Sequence, residues 1–330
     1  MKIGTDLLWF SEADVHGILT MKETLSVVEK AFALHGEGRV QLPAKIYLEF
    51  DPYGGDLRAM PAYVKSDPPS AGVKIVNSNP GNPDKGLPAV SGIMVLVDPP
   101  TGLPLAILAA GQLTSLRTGA AGGIAAKYLA RPDSKTLGLV GCGRQAATQL
   151  EAVSLLFPIE KALVWGKTRQ ESDTFCAQHR GSTSVKLVSC ATVEEACQAD
   201  IVVTTTPVRT PAVKSAWIKP GTHINAIGAD APGKQELETI LLRRARVFVD
   251  EWTQASHAGE INVAVTAGDF TEKDLAGQLG EVVIGRKKGR TSASDITIFD
   301  STGLALQDVT VARFIYEKAV AQKKGQALKL

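Results

Sequence analysis

The stretch TLGLVGCGRQAATQLEA, residues 136–152, places the apolar run Leu137–Val140 directly before Gly141, Gly143 and Ala146. That G-x-G-x-x-A spacing lets a backbone approach a pyrophosphate closely and seats it on a helix N-terminus. A bare glycine pattern equally fits a tight strand-to-helix turn with no ligand, so the flanking elements must decide. Downstream, KALVW (161–165), DIVVTTT (200–206), HINAIGAD (223–230) and ARVFVD (245–250) are apolar and rich in β-branched residues, with helix-length segments between them. Strands alternating with helices imply a parallel sheet covered on both faces. The glycine turn opens the first strand–helix unit of that sheet, where doubly wound folds bind dinucleotides.

The first 110 residues carry a different pattern. Thr20 and Glu23 form a capping box that predicts a helix to about Gly36. AKIYLEF, LRAMPAYV, AGVKIVNS, SGIMVLVD and PLAILAA then follow, separated by short Pro/Gly/Asp turns, and predict an antiparallel sheet. The last segment, LQDVTVARFIYEKAVAQKKG, has helical apolar spacing and ends at a predicted C-cap, Gly325. It lies beyond the dinucleotide unit, so a catalytic domain built from the N-terminal part, with this helix packed back onto it, is expected.

Length and charge bound the function. A chain of 330 residues, 44% hydrophobic and 21% charged, suits two globular domains. The net charge of +2 is spread without a basic stripe, so no nucleic-acid partner is expected, and the run Arg286–Arg290 reads as a solvated turn. No apolar run spans a bilayer, and the start MKIGTDLLWF lacks a signal-peptide core and cleavage site, so a cytoplasmic protein with no membrane partner is expected. Cys142, Cys176, Cys190 and Cys197 have no C-x-x-C spacing and the five histidines no H-x-x-x-H pair, which argues against a metal site or a disulfide scaffold. Cys142, inside the glycine turn, reads as a small packing residue.

Charged residues within apolar segments are the catalytic candidates. Lys74 in GVKIV shares a strand face with Val76, and either projects into a cleft or stands on a solvent side. Arg58 in GGDLRAMPAY and Arg117, placed just ahead of a small-residue helix, fit substrate clamps and surface ion pairs equally. Asp230 ends an apolar strand at the edge where such sheets place chemistry, or else N-caps a helix after Pro232.

LRAMPAY, GVKIVNSNPGNPDKGLPAV, SLRTGAAGGIAAKYLA, GCGRQA, HINAIGADAPGKQEL and TIFDSTGLALQDV together resemble the ornithine cyclodeaminase/μ-crystallin family, most of all its archaeal-type alanine dehydrogenases, from about residue 10 to about 320. The resemblance implies an α/β fold: a Rossmann doubly wound parallel sheet (116–300) plus a split α+β domain for substrate binding and dimerisation (1–115 with 301–330), in a homodimer. It implies that Arg58 and Lys74 hold the substrate, and that Arg117 and Thr118 lie at the cofactor, with Arg117 also at the substrate carboxylate. Gly141, Gly143, Arg144 and Gln145 would then flank the phosphates, and Thr206, Ile224, Asn225 and Ala226 would line the cofactor. Asp230 is the implied acid–base, with Lys74 also catalytic; Lys234 touches the cofactor; Ser301 and Thr302 close the site on substrate, Ser301 also on cofactor. One position departs from the family: Ala89 stands where a cofactor-contacting threonine follows GLP.

The chemistry fits these residue types on independent grounds. Oxidising an α-amino acid needs an anchored carboxylate, a hydride acceptor over Cα, and a base for the amine proton. The expected activity is that of an NAD(P)-dependent amino or imino acid oxidoreductase interconverting alanine with pyruvate and ammonia. Ornithine cyclodeamination to proline, ketimine or pyrroline-2-carboxylate reduction, and nucleotide binding without catalysis remain alternatives. At the ribose end, an NAD-preferring site carries an acid after the second strand. KALVW instead runs into Gly166, Lys167, Thr168 and Arg169, which favours NADP(H) over NAD(H) unless these residues form only a solvated turn.

Overall fold

The computed structural model describes residues 6–329. Met1–Thr5, part of the start read above for a signal segment, lie outside them. The chain divides into two compact units, residues 1–117 with 304–330, and residues 118–303. The divisions thus fall at Arg117/Thr118 and Gly303/Leu304.

The first unit begins with β1 (Asp6–Phe10), α1 (Glu12–Ile18) and α2 (Met21–Gly36), the last opened by the reciprocal Thr20–Glu23 capping box. There follow β2 (Val40–Gln41), β3 (Ile46–Phe50), β4 (Gly55–Val64), β5 (Ser70–Ser78), β6 (Val90–Val97), β7 (Pro104–Ala109) and α3 (Ala110–Leu129). Arg117 therefore lies inside α3 rather than ahead of it. The second unit runs β8 (Thr136–Val140), α4 (Arg144–Leu156), β9 (Lys161–Trp165), α5 (Arg169–His179), β10 (Lys186–Ser189), α6 (Val193–Ala196), β11 (Ile201–Thr204) and β12 (His223–Ala226). It continues with α7 (Thr239–Arg244), β13 (Ala245–Val249), α8 (Trp252–Ala258), α9 (Asn262–Thr266), β14 (Gly277–Gln278), α10 (Leu279–Val283) and β15 (Ile296–Asp300). The chain then returns to the first unit with α11 (Ala305–Gln322) and β16 (Gln326–Lys329).

The sheet of the first unit has the order β16-β1-β7-β6-β5-β4-β2, with β3 on β4. It is antiparallel except where β1 runs parallel to β7. On one face Met60, Lys74, Met94 and Leu96 are buried, and α11 packs on β4, β5 and β6. The expected C-cap at Gly325 is not used: Lys323, at φ 56°, caps α11, and the residues beyond pair with β1. An open β1 edge offers backbone partners that a helix-only reading of the segment does not supply.

The second sheet is parallel throughout, in the order β10-β9-β8-β11-β12-β15-β13-β14. Alternation sends Leu137, Leu139, Ile201 and Val203 into one core and Val140, Val202, Ile224 and Ile298 into the other. Both faces are dry, which is why these strands read as unbroken apolar runs. Arg290 is not a solvated turn residue: its guanidinium donates to the carbonyls of Leu129, Thr222 and Asp295 and to Thr297 Oγ1. Asp230 lies beyond β12, which ends at Ala226, and the next helix starts only at Thr239, so Asp230 neither ends a strand nor caps a helix. Among the described residues no helix is long and apolar enough to cross a membrane.

Candidate active site

In the first unit, two cations meet on one carboxylate. Lys74 on β5 faces Met60 of β4 and Met94 of β6 across the ladders and is 1% exposed. Its Nζ donates to Asp308 Oδ1 at 2.9 Å and lies 2.9 Å from Oδ2. Arg117, 5% exposed, donates Nε–H to the same Oδ1 at 3.0 Å and Nη1–H to Gln307 Oε1 at 3.2 Å. Burial, and then the Arg117 charge, push the Lys74 ammonium down to about 7 against the pull of Asp308. Lys74 is thus an interior lysine, which settles the two readings its sequence left open.

Arg58 stands on the same sheet face as Lys74. It pairs in register with Val76, while Lys74 pairs with Met60, so the two are diagonal neighbours on adjacent strands. Asp56 grips its guanidinium through Nε–Oδ1 at 3.1 Å and Nη2–Oδ2 at 2.9 Å, and the Tyr47 ring lies 5.5 Å away. Those contacts fix the plane of the guanidinium.

In the second unit, the glycine turn joins β8 to α4. Gly141 has φ 104°, and a Cβ there would meet Thr205 Oγ1 at 2.6 Å, so the position needs glycine for both backbone and space. Gly143 is the N-cap of α4, makes no side-chain cap bond, and has open space where a Cβ would stand. The first-turn N–H groups of α4 thus have no side-chain cap. Thr205 Oγ1 and Ser301 Oγ are buried without a hydrogen-bond partner among the described residues. The uncapped N-terminus of α4 and the Thr205 hydroxyl fit a dinucleotide phosphate on the turn, whereas Ser301 follows β15, three strands across the sheet from β8. Arg144 beside it is exposed and Gln145 half-buried.

Asp230 and Lys234 share the loop that follows β12. Lys234 Nζ donates to Asp230 Oδ1 at 2.6 Å. The base of the loop is closed by Glu236, whose carboxylate accepts from Gly228 N at 2.8 Å, Thr204 Oγ1 at 2.6 Å, and Thr206 N and Oγ1, both at 2.6 Å. Glu260 in turn accepts from the backbone N–H groups of Glu236 and Leu237. Burial raises the pKa of both carboxyls, and the nearby Glu236 charge adds to the rise at Glu260. Asn262 accepts from Gly233 N and donates to Lys234 O, fixing the middle of the loop.

Other expected residues are committed elsewhere. Ile224 and Ala226 are core side chains, and Asn225 Nδ2 donates to Gly122 O at 2.9 Å. Its neighbour His223, pushed down to about 3 by burial, is neutral. Thr118 O accepts from Gln149 Nε2, and Thr302 bonds Asp250 through N and Oγ1. Thr206 spends its hydroxyl on Glu236. At the end of β9, a Cβ on Gly166 would meet Cys142 Sγ at 2.7 Å and Glu171 Cβ at 3.0 Å. Thr168 caps α5 in a box with Glu171, Arg169 pairs with Asp173, and Lys167 is exposed. Ala89 gives its carbonyl to Asn79 N.

Residues 7–323 match the model of the ornithine cyclodeaminase/mu-crystallin family. The chain belongs to that family. It is 49% identical to an alanine dehydrogenase of Archaeoglobus fulgidus over 98% of both chains. Among solved structures it is similar to an archaeal alanine dehydrogenase dimer with bound NAD, at TM-score 0.94, 48% identity, and 98% and 99% coverage of the two chains. It is equally similar in fold to the Thermococcus litoralis Δ1-pyrroline-2-carboxylate reductase in complex with NADH and L-proline, at TM-score 0.94, 36% identity, and 97% and 99% coverage.

Sequence reasoning missed Asp308, Glu236, Glu260, Thr205, Asp250 and Asp300. Asp308 had a signal: it sits on the apolar stripe of its helix with Leu304, Val311 and Ile315, where a carboxylate needs a buried partner. Asp300, at the end of β15, accepts from Ile261 N at 3.1 Å, and burial pushes its carboxyl up to about 8 with help from Asp250. In the unfolded chain it ionises near pH 4. Its contribution to stability is therefore full below about pH 4 and is lost as pH rises toward about 8. Thermal unfolding between about pH 5 and about pH 8 should show a smaller fall in midpoint for Asp300→Asn than for the wild type; parallel curves would remove Asp300 from that loss.

Proposed function

We propose that this chain is a cytoplasmic, homodimeric NAD(P)-dependent oxidoreductase that interconverts alanine with pyruvate and ammonium. The observation that carries the reading is the pair Lys74 and Arg117, both interior, sharing the single carboxylate of Asp308. An uncompensated buried cation is costly, and a substrate carboxylate arriving there restores the balance. The full-length likeness to the Archaeoglobus alanine dehydrogenase supports the substrate pair.

A bound nicotinamide supplies the hydride acceptor. Lys74 and Arg117 grip the α-carboxylate, and Arg58, held in plane by Asp56, adds a third cation on that sheet face. Asp230 takes a proton from the substrate ammonium, so that loss of hydride from Cα leaves the protonated imine (iminium) of pyruvate. Asp230 then handles the proton of the water that adds to the imine carbon, and ammonium leaves. The balance is alanine, oxidised cofactor and water giving pyruvate, ammonium, reduced cofactor and a proton. Lys234 orients the Asp230 carboxylate. Gly141, Gly143, Arg144, Gln145 and Ser301 are assigned to cofactor, and Thr302 to support of the Ser301 turn.

The outer face of the first sheet supports the homodimer. Val73, Ile75, Ile93 and Val95 form an apolar patch there, with Ile46 and Leu48 58% and 55% exposed. Light scattering should return twice the chain mass and Ile93→Lys should return the monomer; a monomeric wild type would overturn the assignment.

Pyruvate with ammonium should consume NAD(P)H, and absence of turnover would sink the alanine reading, while a much higher kcat/KM with pyrroline-2-carboxylate would move it to the cyclic imine. Asp230→Asn should keep cofactor affinity and lose about a hundredfold or more in kcat; unchanged turnover would take Asp230 out of the mechanism.

At the ribose end, Gly166 has no room for a side chain while Lys167 and Arg169 follow it, which supports NADP(H) over NAD(H). The Asp173 partner tempers Arg169 but does not cancel it at such exposure. Replacing Lys167 and Arg169 by alanine should lower kcat/KM for NADPH selectively. Equal losses for both cofactors, or an NADH preference in the wild type, would show that the turn only caps α5.

A further inference from the structure

The first turn of α11 brings a carboxylate to the two interior cations, and nothing in the reaction itself requires that carboxylate. We propose that Asp308 is the positioning residue of the substrate site, holding Lys74 and Arg117 together so that both present N–H groups to one substrate carboxylate. The proposal rests on the reading above, in which those two cations grip the substrate.

Its geometry is specific. One oxygen, Oδ1, accepts from both Lys74 Nζ and Arg117 Nε, which ties β5 to α3 through a single atom. The adjacent Gln307 Oε1 takes Nη1 of the same arginine, so two consecutive residues of α11 set the guanidinium plane. Gln307 Nε2 is buried without a partner among the described residues. The turn is firmly held, because α11 packs on β4, β5 and β6 and Asp308 is fully buried. Leu304, the N-cap, offers no side-chain acceptor, so a carboxylate in this first turn is also favoured by the positive end of the helix dipole.

Charge makes the same case. The groups acting on Lys74 are Arg117 from α3, Lys45 ahead of β3 and Asp308 from α11, with the neutral Thr114 hydroxyl at 3.5 Å. Asp308 is the one anion in that set. Without it, Lys74 is a buried amine beside two cations and sheds its proton at lower pH. A neutral Lys74 no longer attracts a carboxylate. The sign follows: substrate binding in a variant lacking the charge fails at neutral pH and returns on acidification.

The test uses Asp308→Asn, which keeps shape and removes charge, and Asp308→Glu, which keeps charge and displaces it. At neutral pH, Asp308→Asn should raise KM for pyruvate at least about tenfold while kcat changes by less than about threefold and NAD(P)H affinity is unchanged. The pH at which pyruvate affinity is lost should move acid by about one unit or more. Asp308→Glu should recover part of the neutral-pH affinity. Independently of turnover, the Lys74 ammonium, assigned in 15N-lysine spectra by its loss in Lys74→Met, should titrate at lower pH in Asp308→Asn. Unchanged KM together with an unmoved Lys74 midpoint would overturn the proposal. If Asp308→Asn does not fold, Asp308→Glu decides: a raised KM with intact cofactor binding supports it, and wild-type KM with a wild-type Lys74 midpoint overturns it. A wild type that binds no carboxylate substrate would refute the function proposed above, whereas the Lys74 titration still reports on Asp308.

Discussion

A buried carboxylate that accepts hydrogen bonds from the ends of two neighbouring strands organises the second unit. Glu236 receives the Thr204 hydroxyl and the Thr206 N–H and hydroxyl after β11, and the Gly228 N–H after β12. The Thr204 and Thr206 donors would otherwise be buried polar groups without a partner, at about 1–3 kcal/mol apiece, and the Gly228 N–H is half-buried. The same residue ends the loop that carries Asp230 and Lys234, so one side chain both terminates the sheet edge and closes the loop. Glu260 repeats the device one layer out, taking the N–H groups of Glu236 and Leu237. Gly228 has no side chain because a Cβ would meet Thr206 O at 2.2 Å and the Glu236 carboxyl carbon at 2.7 Å. The loop's anchor is thus saturated with hydrogen bonds.

The first unit treats buried charge in the opposite way. Glu236 is surrounded by donors, whereas Lys74 and Arg117 divide one anion between them. A saturated carboxylate stabilises the scaffold; two interior cations sharing one carboxylate leave less compensation for each charge. The Lys74 pKa is lowered first by burial and then by the Arg117 charge, against the pull of Asp308.

Much of this was legible in the sequence, for a physical reason. Strands covered on both faces must be apolar throughout, so β8, β9, β11, β12 and β13 announced themselves, and the glycine spacing marked the turn that opens the sheet. The strand β10, KLVS, is short and only partly buried and gave no such run. The pairing of β16 with β1 joins the two chain ends, which no local pattern encodes. Side-chain partners were harder still: Asp308 lies 234 residues from Lys74 and 191 from Arg117. Sequence pattern drew attention to Lys74 because a charge inside an apolar strand is conspicuous, whereas Arg117, in a helix, took its role from the family resemblance. It did not name their partner, because a single aspartate near a helix start is ordinary. Arg290 failed for the converse reason, since its neighbours in sequence are charged while its neighbours in space are carbonyl oxygens.

The turn after β9 shows how a residue with a bland reading constrains one with a sharp reading. Cys142 sits in the glycine turn as a small packing side chain, and burial raises its thiol pKa, so it is not a poised thiolate. Its sulfur lies where a side chain on Gly166 would have to begin. A side chain at position 166 therefore requires a smaller residue at 142 or a shift of the backbone, and the Glu171 Cβ closes the other side. Packing at the end of β9 is thus set inside the glycine turn as well as at the strand end. Gly166, Cys142 and the capped start of α5 form one packed unit, beside which Lys167 is exposed and Arg169 pairs with Asp173. An exchange of Gly166 for aspartate alone meets the Cys142 sulfur, whereas the same exchange paired with Cys142→Gly removes that obstacle.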